Sequence, residues 1–161
     1  MQSQFGRDVL GAVRLDEARR HKAKEKEIFA DISDDTDKET VKSLKQEAKT
    51  EKQEYSQLKK LRWPLLINSN KLSDSKTEQL QSILQDHHDL AVCYAMKEEM
   101  CRLYELTDYQ QAVAGWTKWF QAAKESKIPA LVRFAVQKEK RLPGLAAHMN
   151  PKITSAKLLR R

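Results

Sequence analysis

The chain has 161 residues, 40% of them apolar and 33% charged, with a formal net charge of +7. That length suits one domain able to bury roughly 68–70% of its unfolded surface, and the clustering of its apolar residues argues against a disordered chain. No apolar run approaches the roughly 18 residues of a membrane span, and the opening "MQSQFGRDVLG" lacks the basic region and apolar core of a secretory signal.

Glycine and proline are rare, four of each. Apolar residues recur at spacings of three and four, and no stretch alternates with period two, which predicts an all-α protein of about six helices. The first helix is predicted over residues 5–29, with Phe5, Val9, Ala12 and Val13 on one face. Its second half, "RLDEARRHKAKEKE", is mostly charge. "DISDDTDKE" breaks the pattern, because Asp and Ser side chains favour turns. Thr36 and Glu39 have capping-box spacing, so a second helix is predicted to start there. Its apolar stripe of Val41, Leu44, Ala48, Tyr55, Leu58 and Leu61 is narrow, as in an antiparallel hairpin with the first helix.

"RWPLLINSNK" interrupts. Pro64 disfavours the α region for Trp63, and Asn-Ser-Asn makes a turn, so residues 63–67 are expected to cross the core as extended chain. Three compact helices follow. The first opens on a Ser75–Glu78 box and buries Leu80, Ile83 and Leu84. The second places Cys93, Met96, Met100 and Leu103 on one face. The third opens on a Thr107–Gln110 box and turns Tyr109, Ala112, Trp116, Trp119, Phe120 and Ala123 inward. A sixth helix begins at Pro129, where a missing N–H costs nothing, carries Leu131, Phe134 and Ala135, and ends before "LPG". The expected organisation is a charged helical hairpin over residues 1–62, a compact bundle over 63–150 and a basic tail over 151–161.

Charge is segregated. Residues 127–161 hold nine basic side chains and one acid. Arg133, Lys138, Lys140 and Arg141 fall on or just after the sixth helix, and Lys152, Lys157, Arg160 and Arg161 fall in the tail. Such an end favours an anionic partner, with DNA the leading candidate and a solubilising tail the plain alternative. Metal binding is not predicted. His87, His88, Cys93 and Cys101 lack paired ligand spacing, and the cysteines lie on an apolar helical face. The cysteines are about 12 Å apart along a helix, too far for a disulfide, which predicts a reducing, cytoplasmic setting. Asp34, Asp35 and Asp37 sit before a helix N-terminus and Glu98 and Glu99 on an exposed face, so neither group marks a catalytic acid pair. The aromatics Trp116, Trp119 and Phe120 have core spacing. No phosphate loop or nucleophile elbow is present.

The stretch "KKLRWPLLINSNKLSDSKTEQLQSIL", then "HHDLAVCYAMKEEMCRLYEL", "AVAGWTKWFQAAKESKIPALVRFA" and "GLAAHMNPKITSAKLLRR", resemble in order the blocks of bacterial insertion-sequence transposases of the ISL-three group. The similarity covers roughly residues 58–161. The segment "QFGRDVLGAVRLDEARR" is similar to an upstream family segment, whereas residues 22–57 have no recognised counterpart. The resemblance implies a DDE transposase, in which three carboxylates of an RNase H-like core hold two Mg²⁺ ions and a helical insertion separates the second Asp from the final Glu. Carried over by position, the second Asp falls on Ser3, its neighbouring His on Gly6, the final Glu on Leu159, and two flanking glycines on Ala156 and Arg160. The expectation is therefore a chain like the helical insertion alone, closing on the lead-in to a catalytic helix that does not follow. It would be non-catalytic by itself and bind DNA or a partner through its basic end, alone, as a homo-oligomer or with a full-length transposase. A small interaction protein working through its charged hairpin is the alternative, and a subunit whose missing acids come from another chain is a third reading.

Overall fold

A computed structural model describes residues 1–147, and every described element is helical. α1 (Gln2–Phe5), a π-helical segment (Gly6–Gly11) and α2 (Ala12–Ala30) follow one another without a loop. After a turn come α3 (Lys38–Lys60), the short α4 (Arg62–Leu66), a 3-10 turn (Ser69–Lys71), α5 (Asp74–Asp86), α6 (His88–Tyr104), α7 (Tyr109–Glu125), α8 (Pro129–Glu139) and α9 (Leu142–Ala147). The surplus over six comes from the π segment dividing the first helix and from the short α4 and α9.

By packing, the described chain falls into two units. Gly11–Leu90 form one compact unit, and Met1–Leu10 pack with described residues of 91–147 in another. In the first unit α2 and α3 form the expected antiparallel hairpin, with Arg14 meeting the carbonyls of Leu58 and Lys59, and His21 meeting Glu51. The stripe is narrow because small residues sit at the waist: Ala18 and Ala48 are both buried. Arg14 is buried as well, and it donates at 3.3 Å to each of two carbonyls in the last turn of α3. It thus joins Leu61 N, at 3.2 Å, as a second donor to the Leu58 carbonyl, bonds the Lys59 carbonyl, and places positive charge at the negative end of the dipole.

The start signals lie one or two residues from the predicted boxes. α3 is capped by Asp37, which accepts from Thr40 N at 2.9 Å, while Thr36 instead closes the turn with Ser33. α7 is capped by Asp108, accepting from Gln111 N at 2.8 Å, and α5 by Ser73, not Ser75. In both Thr-Asp pairs the carboxylate takes the cap, because it accepts more strongly than a hydroxyl and complements the dipole. The bonds to Thr40 hold the Asp37 carboxyl below the usual carboxylate range.

Residues 63–67 do not cross the core as extended chain. Arg62–Leu66 are helical, Leu65 is buried and Trp63 is 63% exposed. Pro64 is the third residue of that helix, where its missing N–H has no intrahelical partner to lose.

The second unit is built on aromatics. Trp116, Trp119, Phe120 and Phe134 pack with Phe5 mostly edge to face at 5.2–6.3 Å, and Trp119 Nε1 donates to the Met96 carbonyl at 2.8 Å. Such rings supply most of the burial energy, roughly 1.5–3 kcal/mol each. α7 packs against α8 and α9. Gly115 lets α7 approach α6, since a Cβ there would fall inside contact distance of the buried Leu103 side chain. Tyr109 was expected inside but is 38% exposed, because it begins α7 one turn beyond the core that Ala112 enters.

Candidate functional site

The four described residues of the predicted basic end do not behave alike. Arg133 on α8, Lys140 at its C-cap and Arg141 just after it are exposed. Arg133 and Lys140 are two turns apart, about 10 Å along one side of the helix. Lys138 is a correction: it is buried, its Nζ donates to Gln4 Oε1 at 2.6 Å, and it lies over the Phe134 ring. Its long stem packs in the core, and its ammonium serves α1 and not a solvent-side anion. The single acid of residues 127–161, Glu139, accepts two 3.0 Å bonds from Lys124 on α7. Its charge is thereby tied to a cation outside the segment. Lys152, Lys157, Arg160 and Arg161 lie outside the described residues, as does Leu159.

A second positive surface runs along α3. Lys38, Lys42, Lys45, Lys49, Lys52 and Lys59 are all exposed and recur at spacings of four, three, four, three and seven. The row spans about 32 Å at 1.5 Å per residue, and Glu39, Glu47, Glu51 and Glu54 project from other sides of the helix. The signal was present in the sequence as that spacing, hidden by the near balance of charge in the hairpin as a whole.

The third constellation joins residues far apart in sequence. Glu17 and His21 lie one turn apart on α2, and His87 is the C-cap of α5. One ligand atom from each lies within 4.8 Å of the others. His21 Nε2 and His87 Nε2 are 3.1 Å apart. The other ring nitrogens are engaged, His21 Nδ1 with the Glu51 carboxylate and His87 Nδ1 with the Ile83 carbonyl at 2.9 Å. Glu54 Oε2 stands 3.9 Å from His87 Nε2, and Glu17 Oε1 accepts from Arg20 at 3.2 Å. In the sequence, His87 stands near only His88, Cys93 and Cys101 as candidate imidazole or thiol ligands. His88 is exposed, and neither cysteine is in a disulfide.

Several other titratable groups have local partners. Glu99 pairs with Arg102, whose hydrogen bond holds the carboxyl below its usual range. Burial, then the neighbouring Glu98 carboxylate that accepts its hydroxyl, push Tyr94 up to about 12. Burial raises the Cys101 thiol, with Lys97 partly opposing. Ser3, onto which the resemblance carries the second Asp, is exposed on α1, and the nearby Asp8 pairs with Arg7 at 3.1 Å.

Comparison with known proteins accords with the ordered sequence blocks. The chain is 31% identical over 90 residues to the transposase for insertion sequence element IS1001 of Bordetella parapertussis, a match covering 56% of this chain and 22% of that protein. The aligned region thus amounts to about a fifth of that relative. No solved structure matches the chain. A transposase family, the DDE transposases of the ISL3 type, matches over residues 8–158, which takes in the charged stretch 22–57 and stops short of both Ser3 and Leu159. No helix among the described residues is long and apolar enough to cross a membrane. With the match covering nearly its whole length, the chain belongs to the ISL3 family of DDE transposases.

Proposed function

We propose that this chain is a helical, non-catalytic part of a transposase that binds the DNA backbone through its basic C-terminal end. The observation that carries the reading is charge: nine basic side chains against one acid in residues 127–161, that acid being held by Lys124. Family membership supports DNA as the polyanion, and Ser3 and Leu159 at the acid positions support the absence of chemistry in this chain alone. With Lys138 withdrawn, the phosphate-facing set is Arg133, Lys140, Arg141, Lys152, Lys157, Arg160 and Arg161.

Binding of this kind is driven by counterion release and is largely indifferent to sequence. Its logarithm falls with the logarithm of salt with a slope of about −0.9 per phosphate neutralised, so four to six contacts give roughly −4 to −5. A DNA titration at several salt concentrations measures this. Deleting residues 152–161 is expected to reduce the slope by about three while the helical circular dichroism stays unchanged. Loss of neither affinity nor slope would move the site elsewhere.

The lysine row of α3 favours a second reading, in which the charged hairpin is the working surface. Replacing Lys42, Lys45 and Lys49 together by Gln separates the two. The tail reading predicts little change in slope, and the hairpin reading predicts a loss of about two to three units.

A further inference from the structure

We propose that Glu17, His21 and His87 form a structural zinc site that ties α2 to the junction between α5 and α6. The Ile83 carbonyl only accepts, so His87 Nδ1 must carry the proton of that 2.9 Å bond. The Glu51 carboxylate likewise accepts from His21 Nδ1. With Nδ1 carrying the proton, each ring in its neutral form turns an unprotonated Nε2 toward the other at 3.1 Å. Two lone pairs at that separation repel unless a positive charge lies between or beside them.

The surroundings select a divalent cation. Three carboxylates, from Glu17, Glu51 and Glu54, surround the two imidazoles, with Arg20 on the outer side of Glu17. Histidines that bind metals characteristically give their second ring N–H to a carboxylate or a backbone carbonyl, and here each partner is one of the two. Zinc bonds of about 2.0–2.1 Å in tetrahedral geometry place two nitrogens about 3.3–3.4 Å apart. The observed separation therefore needs an adjustment of a few tenths of an ångström. Glu17 and His21 are at i and i+4, on one face of a helix. His87 is buried and fixed from the other side by α5. Two nitrogens and one oxygen make a borderline donor set that suits Zn²⁺, with a water or Glu54 completing four ligands.

The test is a Zn²⁺ titration of the full chain against a chromophoric chelator, with the melting temperature followed in excess Zn²⁺ and in excess chelator. The expected result is one ion per chain and a higher melting temperature with zinc. His21→Gln and His87→Gln are each expected to weaken uptake more than about 10-fold, and Glu51→Gln by about 10-fold through the ring it orients. His88→Gln and the pair Cys93→Ser and Cys101→Ser are expected to leave uptake unchanged. Because His87 is buried and its variant is liable to unfold, His21→Gln and Glu17→Gln, both at partly exposed positions, carry the test, with circular dichroism confirming the fold. The proposal is overturned if the wild-type chain takes up no zinc, in which case a shared proton alone bridges the rings. It is equally overturned if the folded His21→Gln and Glu17→Gln variants bind as tightly as the wild type, or if uptake disappears with the cysteines.

Discussion

Tyr94 carries the clearest titration signature among single residues. It sits half-buried on α6 with its hydroxyl on Glu98, and both burial and that carboxylate disfavour the phenolate. Its folded value, about 12, lies above the ordinary 10. The neutral form is therefore favoured on folding, and the stability it adds is fully present below pH 10. It is lost as pH rises from about 10 through about 12, because the unfolded chain releases its proton first. Tyr94→Phe is expected to flatten that alkaline fall in stability, measured by denaturant midpoints across the range. An unchanged slope would place the alkaline loss on other groups, among them Tyr104, which burial also raises.

At the level of the element, the helix starts show which local signal prevails. Asp108 and Asp37 cap α7 and α3, while the adjacent Thr107 and Thr36 do not. Asp108→Ala is expected to cost about 1 kcal/mol and Thr107→Ala a few tenths, read from urea midpoints at constant m-value. Equal costs would mean that the threonine box contributes as much as the carboxylate cap. The difference matters for the bundle because α7 carries Trp116, Trp119 and Phe120, around which that unit is packed.

For the whole molecule, the expected outcome is binding without chemistry. The described residues are all-helical, with no strand among them, and the resemblance carries the second Asp onto Ser3. No cleavage or strand transfer is expected from this chain with Mg²⁺ or Mn²⁺ on any DNA end. Metal-dependent nicking that follows the protein through purification and is lost with Ser3→Ala would contradict this. If activity instead appears only when a chain bearing the acids is added, the subunit reading gains.

Much of the element pattern was legible in the sequence because helical periodicity, caps and breakers act over three to seven residues. The hairpin, the inward Trp116, Trp119 and Phe120, and Pro129 at the start of α8 all follow from such short-range pattern. What exceeded that range was decided by tertiary structure. Lys138 reads as a surface cation until Gln4, 134 residues away in sequence, is brought to its ammonium. His87 reads beside His88 and Cys93, yet its partner is His21, 66 residues distant. A local pattern sets which face of a helix turns inward. It does not set which other helix arrives there, because that depends on many weak contacts summed over the packed unit.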